Sequence, residues 1–84
     1  MNKQEIIEKL KVIVKPYIKN QEAFDNLTER TDFINDLQIN SANLVDVILD
    51  IEEKFSIVID NQSMERMLDV QSAIEIIETK LSEK

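Results

Sequence analysis

The sequence predicts an all-α chain: a small four-helix bundle, three longer helices plus one short, with a long ordered loop between the first and second helices. Three observations predict it. The 84 residues contain no glycine, which suits helices better than hairpins. Three separate stretches repeat their apolar side chains with a helical period. The single proline, Pro16, falls at the end of the first such stretch rather than inside one. At this length residues 1–84 form one domain with room for one modest core, and a hydrophobic fraction of 43% is ample for a folded chain.

The first helix is expected from about Lys3 to Ile18, because Ile6, Leu10, Ile13, Val14 and Tyr17 share one stripe of a 3.6-residue period. Pro16 should kink or shorten its last turn, and Asn20 reads as its stop. Residues 20–40 lack periodicity. A connection of that length stays ordered only if something pins it, and Phe24, Leu27, Phe33, Ile34, Leu37 and Ile39 are the available pins, with one helical turn near Phe24–Leu27. The second helix runs from Ser41 to about Phe55, its stripe formed by Leu44, Val47, Ile48, Ile51 and Phe55. A short helix from roughly Asn61 to Met67 uses Met64, Met67 and Leu68. The last begins near Asp69, an acceptable N-cap, and carries Val70, Ala73, Ile74, Ile77 and Leu81 on one face. Without glycine, turns should fall on asparagine and aspartate, which tolerate left-handed backbone.

Composition excludes several classes of function. Cysteine and histidine are both absent, which removes the common nucleophile–base pairs, thiolate ligands and usual zinc sites. Asp50 and Glu53 stand three residues apart on an exposed helix face, as surface charges do, and not as an acid–base couple. The window from Asp32 to Asn43 has Leu37 at the sixth position, where a calcium-binding EF-hand loop needs glycine. No apolar run is long enough to span a bilayer, so no membrane insertion is expected. The first residues lack the apolar stretch of a signal peptide, which makes the expected location cytoplasmic.

The net charge of −7 is unevenly spread. Residues 1–35 balance six acids with six bases, whereas residues 36–69 set eight acids against only Lys54 and Arg66, a net of −6. Such a segment repels nucleic acid and steers basic protein surfaces toward itself; the blander reading is a solvated face that keeps the protein soluble. A monomer is expected.

One position invites chemistry from outside. Asn40 is a favoured N-cap, which would leave Ser41 as the first helical residue with its hydroxyl unspent. The competing assignment makes Ser41 itself the cap, and Leu44 stands where a capping box needs Glu or Gln. A phosphoester on Ser41 would meet the amides and dipole of a helix N-terminus, worth about 0.3–1 kcal/mol. Ala42, Val45 and Leu49 make a second apolar line, offset from the core stripe and surrounded by Asp46, Asp50, Glu52 and Glu53. That line is either a docking face for a basic partner or a widening of the core stripe.

The run Asp36-Leu37-Gln38-Ile39-Asn40-Ser41-Ala42, followed by Val45-Asp46-Val47 and Asp50-Ile51-Glu52-Glu53-Lys54-Phe55, resembles the acyl carrier protein family. That family is marked by an Asp-Leu-Gly-x-Asp-Ser-Leu stretch leading into an acidic helix that ends in Glu-Glu-x-Phe. The likeness continues through Ile57, Ile59 and Asp60, then Met64 to Met67, then Val70, Ala73 and Ile77, nearly the whole chain. It implies a bundle of three long helices and one short one, with 4′-phosphopantetheine attached at Ser41 beside Asn40. The thiol of that arm would carry acyl groups as thioesters for fatty-acid, polyketide or related biosynthesis, so the chain itself would be no enzyme. Implied partners are a phosphopantetheinyl transferase and acyl-transferring or condensing enzymes with basic docking surfaces. By the same match Ala42, Val45 and Leu49 are apolar partner contacts, and Asp46, Glu52 and Glu53 acidic ones. Val47, Ile51, Phe55, Ile59, Met67 and Ala73 are expected to line a pocket for the acyl chain.

Three positions depart from the family pattern. Asn40 stands for an aspartate, Ala42 for a leucine and Gln38 for a glycine. Losing one interfacial charge or apolar anchor costs about 1–3 kcal/mol, so a general transferase should serve this chain less well than a dedicated one. The alternative function is a non-carrier interaction module, with an acidic recognition helix and an unmodified Ser41.

Overall fold

The computed structural model describes residues 2–83, and the regular elements among them are all helical. Its elements are α1 (Lys3–Val14), a 3₁₀ turn (Lys15–Tyr17), α2 (Gln21–Asp25), α3 (Ser41–Phe55), α4 (Asn61–Arg66) and α5 (Val70–Ser82). The three longer helices, α1, α3 and α5, build the bundle. Their stripes supply Ile6, Leu10, Ile13 and Val14 from α1, then Leu44, Val47, Ile48, Ile51 and Phe55 from α3, then Val70, Ala73, Ile74, Ile76 and Ile77 from α5. Each fully buried aliphatic side chain contributes about 1.5–3 kcal/mol of transfer free energy, which is what holds the helices together.

Asparagine and aspartate start every helix. The side chains of Asn2, Asn20, Asn40, Asp60 and Asp69 accept the backbone N–H three residues on from each, at 2.8–3.1 Å. These residues therefore act as caps. The left-handed positions expected of them fall on Gln38 (φ 60°) and Ser56 (φ 55°), the latter closing α3.

The first helix is shorter than its apolar stripe suggests. It ends at Val14, and Pro16 lies in the 3₁₀ turn, because proline has no N–H to continue the ladder and its ring crowds the carbonyl one turn back. Tyr17 is consequently only half-buried. Asn20 does not stop that helix but starts α2, so the helical turn within the connection occupies Gln21–Asp25, earlier than the Phe24–Leu27 predicted.

The long connection is ordered as expected, although not by every proposed pin. Phe33, Leu37 and Ile39 are fully buried, Phe24 and Leu27 pack against the core, and Ile34 faces solvent. Backbone bonds add to the pins. Lys19 N–H donates to the Leu37 carbonyl at 3.0 Å, and Ile39 N–H to the Phe33 carbonyl at 3.0 Å. The connection is also stitched to the link before α5. Phe33 N–H donates to the Leu68 carbonyl (3.0 Å), Val70 N–H to the Thr31 carbonyl (2.9 Å) and Gln71 N–H to the Glu29 carbonyl (2.9 Å), around an antiparallel bridge between Asp32 and Asp69. This pairing turns Leu68 outward, while Met67 is fully buried in its place. At the far end Leu81 is only half-buried, since the last turn of α5 overhangs the core.

Candidate functional site

Ser41 opens α3 at the surface. Asn40 has extended backbone, and its Oδ1 accepts the Asn43 N–H at 2.8 Å while its carbonyl takes the Leu44 N–H at 2.9 Å. Asn40 thus performs the capping. Among the described residues none bonds the Ser41 hydroxyl, and the Ser41 side chain is exposed. The first amides of a helix have no intrahelical acceptor, and the first turn of α3 contains no acid to compete for them. A phosphate ester at this hydroxyl fits: it breaks no native bond and meets the positive end of the helix.

Two residues upstream of the cap, Gln38 holds a left-handed backbone. This is the turn that reverses the connection and delivers Ile39 into the core, with Asn40 and Ser41 outside. A glycine would adopt it without a steric penalty.

Along α3 the apolar residues separate cleanly. Val47, Ile51 and Phe55 are buried, whereas Ala42 is exposed, Val45 is 45% exposed and Leu49 is 53% exposed. These three do not widen the core stripe. They form their own line beside Ser41.

The acids around that line are not equivalent. Asp46 and Glu53 are exposed. Asp50 Oδ2 accepts the Tyr17 hydroxyl at 3.1 Å, which ties α3 to the turn after α1. That bond, then burial and the charges of Asp50 and Asp46, raise the Tyr17 phenol above its ordinary pKa. Glu52, half-buried, accepts the Ile59 N–H on Oε2 at 2.7 Å and so holds the segment between α3 and α4. Neither bond was legible in the sequence, where Tyr17 reads as a core residue and Glu52 as one more surface acid. The only available signal was that the chain's sole tyrosine follows Pro16, where the helix must deviate.

The six side chains matched to an acyl pocket lie together in the core: Val47, Ile51, Met67 and Ala73 are fully buried, and Phe55 and Ile59 nearly so. Lys9 Nζ lies 5.6 Å from the centroid of the Phe55 ring. Two surface hollows are lined by other residues, one between α4 and α5 by Ser63, Arg66, Glu75, Ile76, Thr79 and Lys80, another between α1 and α3 by Val12, Ile13, Pro16, Asp50, Glu53 and Lys54. All six matched side chains belong to the one buried core cluster. Among the described residues no cluster of acids could hold a metal ion, and no helix is long and apolar enough to cross a membrane.

No family profile matches the chain. Individual relatives do. It is 30% identical to the acyl carrier protein of Coprothermobacter proteolyticus over the full length of both chains. It is 32% identical to that of Guillardia theta, across 98% of this chain and 99% of the relative. The Thermotoga maritima acyl carrier protein is 31% identical over 95% of this chain and 96% of its own.

Proposed function

This chain belongs to the acyl carrier protein family, and from that membership we propose that Ser41 carries 4′-phosphopantetheine as a phosphoester and that acyl groups ride on the arm's thiol as thioesters. The observation that carries this reading is the division of labour at the helix start, with Asn40 capping and the Ser41 hydroxyl exposed and unspent. The arm supplies the thiol that a chain without cysteine lacks. What the protein's own residues contribute is position: the helix terminus favours the phosphate, and Ala42, Val45 and Leu49 with Asp46 and Glu53 offer a partner enzyme an apolar line beside negative charge. Glu52, at the border of that face, is engaged with Ile59. Val47, Ile51, Phe55, Ile59, Met67 and Ala73 shelter the acyl chain when the bundle parts, Met67 being the most adaptable of them. The partners are a phosphopantetheinyl transferase and enzymes that load, extend or remove the acyl group, the acidic side of the chain selecting basic surfaces on them.

Intact mass reads the outcome directly. Incubation with coenzyme A and a phosphopantetheinyl transferase should add a single arm to the wild-type chain and none to Ser41→Ala. If several transferases leave the wild-type mass unchanged, the chain acts through its acidic helix without an arm, and Ser41→Ala will not disturb its function.

A further inference from the structure

The four acids of α3 are distributed around the helix in a way that decides which of them a partner can use. At about 100° per residue, Leu49, Ala42, Glu53 and Asp46 fall within a narrow arc opposite the buried stripe. Asp50 and Glu52 fall on either flank of that arc, each where α3 borders a neighbouring element. Both are tied to that neighbour: Asp50 to the Tyr17 hydroxyl on the α1 side, and Glu52 to the Ile59 N–H on the α4 side. Asp46 and Glu53 are exposed and have no such internal donor among the described residues.

We propose that Tyr17 is a specificity-determining residue: by holding Asp50 against the turn after α1, it leaves Asp46 and Glu53 as the pair of carboxylates that a docking partner reads. The inference rests on the carrier reading for its biological setting, but its geometry does not need the arm. The two carboxylates are seven residues apart, which puts them about 10 Å apart along the helix axis, with Leu49 between them in sequence and 53% exposed. The matching partner surface has two cationic side chains about two helical turns apart flanking an apolar recess for Leu49. A partner with a continuous basic patch gains less, because the flank acids are already engaged. Glu52 is the mirror case, and there the donor is a backbone amide that no substitution of a side chain removes.

Tyr17→Phe keeps the half-buried ring and deletes only the donor, so Asp50 becomes free to join the exposed pair. The test uses the unmodified protein and a synthetic amphipathic helical peptide with two lysines seven residues apart and a leucine pocket-forming face, binding being followed by amide chemical shifts. Expected results are a several-fold weaker Kd for Asp46→Asn and for Glu53→Gln, and a roughly threefold tighter Kd for Tyr17→Phe, with a steeper salt dependence. Adding Asp50→Asn to Tyr17→Phe should abolish that gain. A Tyr17→Phe variant that is folded by its amide spectrum yet binds no tighter overturns the proposal, as does a peptide that fails to bind either form. Failure of arm transfer to Ser41 in the mass assay is a separate result and overturns only the carrier reading.

Discussion

Gln38 and Ser56 occupy the left-handed region, where a residue with a Cβ pays about 1–2 kcal/mol that glycine does not. Part of that gain is returned because glycine has more freedom to lose on folding. Gln38→Gly and Ser56→Gly should therefore each stabilise the chain by about 0.5–1 kcal/mol, readable as a higher urea midpoint with an unchanged slope. A lower midpoint for either would mean that the side chain makes a contact worth more than the strain. The same scale governs the cap beside the modifiable serine. Asn40→Asp retains the acceptor that holds the Asn43 amide and adds a negative charge at the positive end of α3. It should raise kcat/KM for arm transfer by about tenfold with a general transferase, if one interfacial charge is worth its usual 1–3 kcal/mol. Asn40 was the favoured cap from the sequence, since Leu44 cannot complete a capping box for Ser41, with Ser41 itself the open alternative. The left-handed positions were not legible, because nothing in a glutamine or serine marks it for positive φ.

Individual helices depend on their first residues. α4 has only six residues, Asn61–Arg66, and none of them is fully buried, so its cap matters more than its packing. The Ser63 hydroxyl, and then its backbone amide, hold the Asp60 carboxyl below its ordinary pKa of 3.8. A carboxylate with a lowered folded-state pKa contributes stability that is fully present above the unfolded value and lost as the pH falls through the folded one. The acid limb of the melting curve below about pH 4 should consequently flatten in Asp60→Asn, which keeps a capping oxygen but cannot titrate. An unaltered limb would assign acid unfolding to other carboxylates. How well each helix could be foreseen follows the strength of its stripe. α3 and α5 have uninterrupted apolar faces, and their first residues were predicted from the sequence. α1 was overextended because Tyr17 continues its period while Pro16 ends its ladder; backbone chemistry outranked the pattern. α2 was displaced because Asn20 was read as a stop when it is a start, and asparagine serves both ends of helices. The bonds of Asp50 and Glu52 to Tyr17 and Ile59 join residues 33 and 7 positions apart, and no local pattern encodes them.

For the molecule as a whole, charge opposes the core. Residues 36–69 hold a net −6, and the described ion pairs, Lys3–Glu29 and Lys80–Glu83, engage no acid of that segment. Screening should therefore stabilise the fold. Raising ionic strength from about 0.01 to 0.15 M shortens the Debye length from about 30 to 8 Å, and millimolar magnesium acts in the same direction. A relief of about 1 kcal/mol would lift Tm by about 4–8 °C in a domain of this size. A melting point indifferent to both salts would mean that like charges in this segment are too well solvated to repel.

The hydrogen bonds of Phe33, Val70 and Gln71 to carbonyls at Leu68, Thr31 and Glu29 splice together two parts of the chain nearly forty residues apart. Closing so wide a circuit costs chain entropy before any contact rewards it, so this splice should form late in folding and open early under stress. Its three amides should then release their protons to solvent at one shared rate, as a single latch. When that latch slips, the segment leading to Ser41 and the first turn of α5 come loose together, so the same event that frays the fold also frees the site from its frame.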